Sequence, residues 1–296
     1  MLTGINGRTK VCGIYGCPVE HSFSPAMHNA AFDALDLDFV YVPFLVEPSR
    51  LPAAVEAVRS LGLAGVNVTI PHKQAVLPLL DEITEEARLI GAVNTIVNNS
   101  GCLLGDNTDG RGFLRALQEQ AGFSPAGKTA LIMGAGGAAR AVSVQLVLAG
   151  IRKLFLSNRS RTRAEALASL LVKNTGLPVA EVVPWPVSGE NPDLSEELPL
   201  ADLVVQTTPV GMHPDEGSTI PLPLSSFGPG QVVCDLIYNP PETMFMKRAS
   251  QVGATALNGI GMLLYQGVLS FEQWTGKTAP VEVMRESLLK CLHWRI

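Results

Sequence analysis

The sequence predicts an α/β protein built from two domains, and three observations support this prediction. The chain has 296 residues, whereas single hydrophobic cores stop growing at about 250–300 residues. Short apolar stretches of strand length alternate with helical patterns from the amino terminus onward, which is typical of mostly parallel sheets. A second strand–helix series begins at Thr129 and contains a glycine-rich turn, which indicates a Rossmann-like unit.

The first strand–helix series occupies the amino-terminal part of the chain. Apolar runs bounded by glycine, proline or polar residues predict strands at 11–15, 38–45 and 65–70. Apolar residues at helical spacing predict helices at 24–32 and 51–61, and another helix from Lys73. Ser24 is predicted to cap the first helix, with Pro25 in the first turn, where its missing N–H costs nothing.

A hairpin and the second series follow. The turn at 98–101 predicts a hairpin between 91–99 and 102–107, and a helix then runs from Asp109 to about Ala121. Later strands are predicted at 129–133, 153–157, 201–207, 231–235 and 255–256. Later helices are predicted at 137–149 and 163–172, and in two pieces from 261 onward with a break near 276–280. The stretch 184–199 is predicted to be a surface connection.

Composition and charge argue against several classes of protein. Hydrophobic residues make up 47% of the chain and charged residues 17%, which suits two buried cores and not a disordered chain. A net charge of −5 without a basic stripe argues against a nucleic-acid partner. The longest uncharged apolar segment is too short for a membrane span, and no signal peptide is visible, so a cytoplasmic protein is predicted. The cysteines lack zinc spacing, and no metal is expected.

Residues 134–139 match the G-x-G-x-x-A form of the dinucleotide fingerprint, between a predicted strand and a predicted helix. Gly134 permits the tight turn, Gly136 lets the backbone approach a pyrophosphate, and Ala139 lets the helix pack close to the strand. The free N–H groups and positive dipole of the helix start attract phosphates. The predicted cofactor-binding residues of this turn are Gly134, Ala135, Gly136, Gly137 and Ala138. The alternative is a glycine-rich turn without a ligand.

The end of the next predicted strand indicates which dinucleotide binds. A site for NAD places an acidic residue there, to bind the ribose 2′-hydroxyl. Residues 157–163 contain no acid and three arginines. Because a guanidinium binds a 2′-phosphate bidentately, NADP is the predicted cofactor. Arg159 is the first candidate ligand and Arg163 or Arg161 the second; the alternative for any of them is a solvated helix start.

Lys73 and Asp109 are the candidate catalytic residues. Each follows a predicted strand, and in open α/β sheets ligands bind outside the carboxyl ends of strands. A lysine can donate a proton to a ketone during reduction and accept it during oxidation. Taken alone, however, a single lysine is more often a solvated surface residue.

A series of segments resembles the motifs of the shikimate dehydrogenase family, in the family's order and over nearly the whole chain. The segments are 16–29, 67–73, 91–95, 107–110, 134–139, 158–160, 207–212, 235–240 and 259–266. One such motif would be weak evidence, whereas the ordered series is highly specific. The implied reaction is the reversible reduction of 3-dehydroshikimate to shikimate with NADPH, a step of chorismate and aromatic amino acid biosynthesis.

The resemblance also implies roles for individual residues. Lys73 would be the catalytic acid and base, with Asp109 as its partner. Ser22 and Ser24 would bind the substrate carboxylate. The ring hydroxyls would be bound by Asn67, Thr69, Asn94, Asp109 and Gln266, and Tyr238 would help to shape the substrate site. The nucleotide would be bound by Asn158, Arg159, Ser160 and Arg163, with Thr207, Met212 and Gly259 along the nicotinamide side. His21, His28 and His72 are interpreted as structural or rim residues.

The domain boundaries and the rival functions complete the prediction. Residues 1–109 plus 259–296 are expected to form the substrate domain, completed by the C-terminal helices, and 110–258 the Rossmann-like NADP-binding domain, with the active site in the cleft between them. Rival enzymes are a quinate/shikimate dehydrogenase that uses NAD and an aminoshikimate dehydrogenase. A rival of another class is a non-catalytic NADP-binding sensor. The expected partners are small molecules, and the protein is expected to be a monomer or a homodimer.

Overall fold

A computed structural model describes residues 4–186 and 201–293. The chain divides into two compact units. The first unit contains the residues up to Gly112 together with those from Leu264 onward, and the second unit runs from Phe113 to Leu263. Most of the surface connection predicted at 184–199 lies outside the described residues. No helix within the described residues is both long and apolar enough to cross a membrane.

The helices and strands alternate along most of the described chain. The strands are β1 (Lys10–Gly16), β2 (Phe39–Leu45), β3 (Gly65–Val68), β4 (Glu82–Ile83), β5 (Thr95–Asn99), β6 (Cys102–Asp106), β7 (Thr129–Met133), β8 (Lys153–Ser157), β9 (Ala180–Val183), β10 (Leu203–Gln206), β11 (Val232–Asp235) and β12 (Thr255–Leu257). The α-helices are α1 (Ser24–Ala34), α2 (Leu51–Ser60), α3 (Glu85–Ile90), α4 (Asp109–Ala121), α5 (Gly137–Leu148), α6 (Arg161–Thr175), α7 (Met244–Gln251), α8 (Ile260–Thr275) and α9 (Val281–His293). This alternation confirms the predicted α/β class.

The first unit contains a mixed sheet with the strand order β2-β1-β3-β5-β6-β4. β1 pairs in parallel with β2 and β3, whereas β5 and β6 form the predicted antiparallel hairpin. Helix α2 buries Leu51, Val55 and Val58, whose spacing places them on one helical face against the strands. Helix α9 packs on α1, so the C-terminal helices complete this unit, as the resemblance implied.

The second unit contains a fully parallel sheet with the order β12-β11-β10-β7-β8-β9. All residues of β7 are buried, as expected for a central strand of a parallel sheet. Along the chain, this sheet begins with β7 and is extended on one side by β8 and then β9. The next strand, β10, lies on the other side of β7. Such a reversal of strand order is the point where open α/β sheets bind ligands, beyond the carboxyl ends of the strands. The predicted Rossmann-like unit is therefore confirmed.

The structure corrects two local predictions in the first unit. The helix predicted from Lys73 is absent: turns follow Pro71, and only a short 3-10 helix occurs at Leu77–Leu79. The carbonyl of Lys73 instead accepts a bond from the N–H of Val93, and Pro78 has no N–H to continue a helix. Ser24 is also not the N-cap of α1 but its first residue.

Candidate active site

The two predicted catalytic residues lie side by side in the first unit. Lys73 follows β3, and Asp109 is the first residue of α4. The Nζ atom of Lys73 lies 2.6 Å from Oδ2 of Asp109. The other carboxylate oxygen accepts a bond of 2.9 Å from Nδ2 of Asn94. Asp109 is therefore held by both an ammonium and an amide.

The burial of the pair leaves the amine within reach of a ligand. The side chain of Asp109 is 9% exposed and that of Lys73 is 26% exposed. A charge-assisted hydrogen bond of this length fixes the ammonium in one orientation. The pair can thus present an N–H donor to a neighbouring oxygen while the carboxylate stays in place.

The two predicted asparagines belong to a buried hydrogen-bond network behind this pair. Nδ2 of Asn67 lies within 3.1 Å of the carbonyl oxygen of Asn94 and of the hydroxyls of Thr95 and Ser270. The Tyr41 hydroxyl donates to Oδ1 of Asn67 at 2.8 Å. The structure therefore connects Asn67 and Asn94 directly, and all of these side chains are buried.

The predicted serines lie at the start of α1, close to the same network. The N–H of Ser24 donates to the Ser22 hydroxyl at 3.3 Å, although Phe23 rather than Ser22 is the N-cap of α1. The Ser24 side chain interacts with the phenol of Tyr41, and burial raises the pKa of that phenol well above its ordinary value. Tyr41 in turn donates to Asn67, so Ser24 lies close to the network around Asn67.

Thr69 and Gln266 complete the predicted substrate residues of the first unit. Thr69 is half-buried in the segment after β3, and its N–H donates to the carbonyl of Tyr15. Gln266 is buried on α8, and its backbone carbonyl accepts a bond of 3.0 Å from the Ser270 hydroxyl. Ser270 therefore links α8 to the asparagine network.

Sequence reasoning missed several members of this network. These are Tyr41, Thr95, Thr108 and Ser270. The available signal was the presence of polar side chains inside segments that are otherwise apolar, such as Thr95 in β5 and Ser270 one helical turn beyond Gln266. Most buried polar side chains in proteins have hydrogen-bond partners, so such positions are candidates for a network.

The histidines have surroundings that differ from those of the catalytic pair. His72 is buried, and its Nε2 lies 2.6 Å from the carbonyl oxygen of Val46. His28 is fully buried and stacks on Tyr41 with ring centroids 4.5 Å apart. Neither ring nitrogen of His28 has a hydrogen-bond partner within the described ranges, and burial lowers its pKa to about 3.

In the second unit, the predicted cofactor residues follow the carboxyl ends of the parallel strands. Gly134 follows β7 with a φ of +119°, a conformation that favours glycine, and a Cβ atom there would clash with Oγ1 of Thr207. Thr207 in turn donates from both its N–H and its hydroxyl to the carbonyl of Met133. The structure thus brings the predicted nicotinamide-side residue Thr207 to the glycine turn.

The helix start beyond this turn is open. A Cβ atom added at Gly136 or Gly137 would meet no atom within 4 Å, and α5 begins at Gly137. Ala135 and Ala138 are half-buried beside them. The first N–H groups of a helix have no intrahelical acceptors, so this geometry fits the pyrophosphate of a dinucleotide.

The predicted 2′-phosphate residues surround the start of α6. Nδ2 of Asn158 donates to the carbonyl of Ser160 at 2.9 Å, which fixes the turn. Arg161 is paired with Glu165 at 2.9 Å. Arg159 and Arg163 are exposed, and their guanidinium groups have no ion-pair partner in the part of the chain that the structure describes. These two arginines fit the additional phosphate of NADP.

The remaining predicted residues lie beyond β10, β11 and β12. The N–H of Gly259 donates to the carbonyl of Ile237 at 3.0 Å, and a Cβ atom at Gly259 would clash with the Leu236 carbonyl. Tyr238 is half-buried in the same loop, and Met212 is exposed after β10. Gly259 therefore lies against the loop that carries Tyr238.

The chain is similar to known proteins over most of its length. The model of the shikimate dehydrogenase substrate binding domain matches residues 14–96, and that of the shikimate 5'-dehydrogenase C-terminal domain matches 259–289. The shikimate dehydrogenase (NADP(+)) of Desulforamulus reducens is 56% identical over 97% of both chains.

Solved structures match over a similar length. The crystal structure of a shikimate dehydrogenase in complex with NADP+ is 42% identical over 97% of both chains, with a TM-score of 0.88. The Listeria monocytogenes shikimate 5-dehydrogenase, solved in complex with shikimate and NAD, is 37% identical, with a TM-score of 0.89 over 95% of this chain and 97% of that one. By sequence and by structure, this chain belongs to the shikimate dehydrogenase family.

Proposed function

We propose that this chain catalyses the reversible NADPH-dependent reduction of 3-dehydroshikimate to shikimate, a step of chorismate and aromatic amino acid biosynthesis. The proposal is supported by family membership and by one observation above all, the 2.6 Å contact between Lys73 and Asp109. An NADP-binding protein without catalytic function would have no need for an oriented, partly exposed ammonium. The pair therefore favours an enzyme over a sensor.

Lys73 moves the proton in this mechanism. During reduction its ammonium donates a proton to the ketone oxygen, which becomes the alcohol, and the neutral amine then recovers a proton from water. Bound NADPH would supply the hydride to the carbonyl carbon. Asp109 holds Nζ in place, and Asn94 holds Asp109. In the oxidation direction the amine accepts the hydroxyl proton.

The other predicted residues of the first unit bind the substrate in this proposal. Ser22 and Ser24 bind its carboxylate through their hydroxyl groups, and the N–H of Ser24 already donates to the Ser22 hydroxyl. The ring hydroxyls are bound by Asn67, Thr69, Asn94, Asp109 and Gln266. Because Nδ2 of Asn67 has three internal acceptors for two hydrogens, a ring hydroxyl would replace one of those acceptors.

The second unit holds the nucleotide in this proposal. The pyrophosphate binds to the open helix start at Gly136 and Gly137, and Arg159 and Arg163 bind the 2′-phosphate beside Asn158 and Ser160. Thr207, Met212 and Gly259 line the nicotinamide side, and Tyr238 helps to shape the substrate site. The domain bounds predicted from the sequence, 110–258 for NADP and 1–109 plus 259–296 for the substrate, stay a prediction, and the second compact unit runs from Phe113 to Leu263. The cytoplasmic location, the lack of a nucleic-acid partner and the monomeric or homodimeric state stay predictions.

An absorbance assay at the reduced nicotinamide band tests the proposal. Shikimate and quinate are each supplied with NADP and with NAD, and shikimate with NADP is expected to have the highest kcat/KM. A higher kcat/KM for quinate or for NAD would instead support the broader quinate/shikimate dehydrogenase. NADP binding without turnover of either acid would support the sensor.

A further inference from the structure

Asp235, the last residue of β11, is a buried carboxylate outside the site described above. It is 0% exposed. One of its oxygens accepts the N–H of Ile237 at 3.0 Å, and the other accepts the hydroxyl of Thr243 at 2.7 Å. Burial raises the pKa of this carboxyl to about 6. Burying a carboxylate costs free energy unless its hydrogen bonds are satisfied. The two hydrogen bonds of Asp235 offset part of that cost.

The two hydrogen-bond partners of Asp235, Ile237 and Thr243, position three segments of the second unit. Thr243 is the N-cap of α7 and accepts the N–H of Met246 at 3.3 Å. Ile237 accepts the N–H of Gly259 through its carbonyl and directly precedes Tyr238. One carboxylate thus fixes the start of α7, the turn before Tyr238 and, through Ile237, the position of Gly259.

The neighbouring strand has a similar device. Gln206, the last residue of β10, is buried, donates from Nε2 to the Val210 carbonyl at 3.0 Å, and accepts the N–H of Thr208. The loop from β10 and the loop from β11 are joined by a bond of 3.1 Å from the N–H of His213 to the carbonyl of Asn239. The loops that follow β10 and β11 are therefore each held by a buried side chain at the end of the strand, Gln206 in β10 and Asp235 in β11.

We propose that Asp235 and Thr243 are positioning residues for the nicotinamide half of the nucleotide site. This inference rests on the proposed function, which assigns Gly259 to the nicotinamide and Tyr238 to the substrate. Both residues are buried, and both act through the backbone of the turn at Leu236–Tyr238, against which Gly259 lies. The adenosine half of the site lies beyond β8, and β10 and β7 separate β8 from β11. Binding of the adenosine half should therefore not depend on Asp235 and Thr243.

The experiment compares the dissociation constants of NADPH and of 2′-phospho-ADP-ribose, which lacks the nicotinamide. Asp235→Asn keeps one carbonyl acceptor, and Asp235→Ala keeps none. We expect Asp235→Ala to weaken NADPH binding by about tenfold or more and Asp235→Asn by less, with the fragment unchanged. Thr243→Val should weaken NADPH binding in the same way as Asp235→Ala. Thr243→Ser, which retains the hydroxyl, should bind NADPH as tightly as the unsubstituted protein.

Asp202 offers a matched control in the same unit. Its carboxylate also accepts one backbone N–H and one hydroxyl, both from Thr129, at 2.8 and 3.0 Å. It lies just before β10, at the amino-terminal end of the parallel strands, whereas Asp235 lies at the carboxyl end of β11. Asp202→Asn is expected to lower the melting temperature without changing the ratio of the two dissociation constants.

The result that overturns the proposal is an equal loss of NADPH and fragment binding, or no loss of either, in folded Asp235→Asn and Thr243→Val. Because the readout is binding, it remains valid if the unsubstituted chain binds NADPH but turns over neither acid, an outcome that would refute only the proposed function. Failure of the unsubstituted chain to bind NADPH would overturn both proposals.

Discussion

At the scale of single residues, the chemistry depends on how Lys73 is held. Its carbonyl is bound by Val93 and its ammonium by Asp109, so both ends of the residue are fixed without a helix around it. Asp109 follows a different strand, β6, and one of its carboxylate oxygens accepts a hydrogen bond from Asn94. Residues that are distant in sequence thus form one hydrogen-bonded group, which transfers the proton in the proposed mechanism.

Lys73→Ala should lower kcat by about 10²–10⁴-fold with a modest change in KM, because the proton is transferred only in the transition state. The measurement is steady-state oxidation of shikimate with NADP. Lys153→Ala is the matched control. Lys153 also forms an ion pair of 2.7 Å with a carboxylate, that of Glu181, but it lies at the amino-terminal end of β8 in the second unit. Near-normal turnover in Lys73→Ala would refute the assigned role.

Arg159→Ala should weaken NADP binding by roughly 10–100-fold and leave NAD binding nearly unchanged, because only NADP carries the 2′-phosphate. Calorimetric titration with each nucleotide measures the difference. Arg161→Ala is the control, because Arg161 is already paired with Glu165. An equal loss for NADP and NAD would contradict the assignment of Arg159.

At the scale of elements, many of the candidate site residues lie just beyond the carboxyl end of a strand or at the start of a helix, whereas Asn67 lies within β3 and Gln266 within α8. The glycine turn between β7 and α5 shows two separate requirements. Gly134 is required by its backbone conformation and by Thr207, whereas Gly136 has open space above it. The first glycine serves the fold, and the second leaves room for a ligand.

Gly134→Ala and Gly136→Ala should therefore differ in their effect on stability. Gly134→Ala should lower the free energy of unfolding by about 1–3 kcal/mol, because it combines an unfavourable φ with a clash at Thr207. Gly136→Ala should change stability little and still weaken NADPH binding, since its methyl group occupies the approach to the pyrophosphate. Denaturant unfolding and nucleotide titration separate these effects, and equal stability losses would contradict the account.

Elements with a strong periodic pattern were predictable from the sequence, and those set by distant partners were not. The central strand β7 and the helix after it were predictable because apolar runs and glycine spacing are local signals. The missing helix at Lys73 depends on Val93, twenty residues further along, which no local pattern reveals. The role of Asp235 depends likewise on its burial against Thr243, which is a property of the folded chain. Family motifs pointed to Lys73 and Asp109 as a candidate pair, but the hydrogen bond between the hydroxyls of Thr95 and Ser270 is a property of the folded chain.

At the scale of the whole molecule, stability should depend on pH through the buried His28. Its pKa is lowered from 6.5 to about 3 by burial, so the unfolded chain binds a proton that the folded chain excludes. Stability from this group is therefore complete above pH 6.5 and is lost as the pH falls from 6.5 toward 3. Between pH 7.5 and pH 5 the loss amounts to about 2 kcal/mol.

His28→Phe should remove this dependence, because the ring would still stack on Tyr41 and Phe271 without nitrogens that lack partners. Denaturant unfolding of both proteins at pH 7.5 and pH 5 measures the difference in the free energy of unfolding, in which the contribution of Asp235 cancels. If both proteins lost the same stability between these two pH values, the buried neutral state of His28 would be disproved.

The proposed reaction transfers a hydride and a proton to a dehydroshikimate ring beside Lys73, and a single-turnover experiment observes this event directly. The protein is loaded with one equivalent of NADPH and mixed with excess 3-dehydroshikimate, and the loss of nicotinamide absorbance is followed. We predict complete oxidation of the bound NADPH in the unsubstituted protein, with shikimate as product, and a rate about 10²–10⁴-fold lower in Lys73→Ala. Bound NADPH that persists in the unsubstituted protein, or that disappears equally fast in both proteins, would contradict the account.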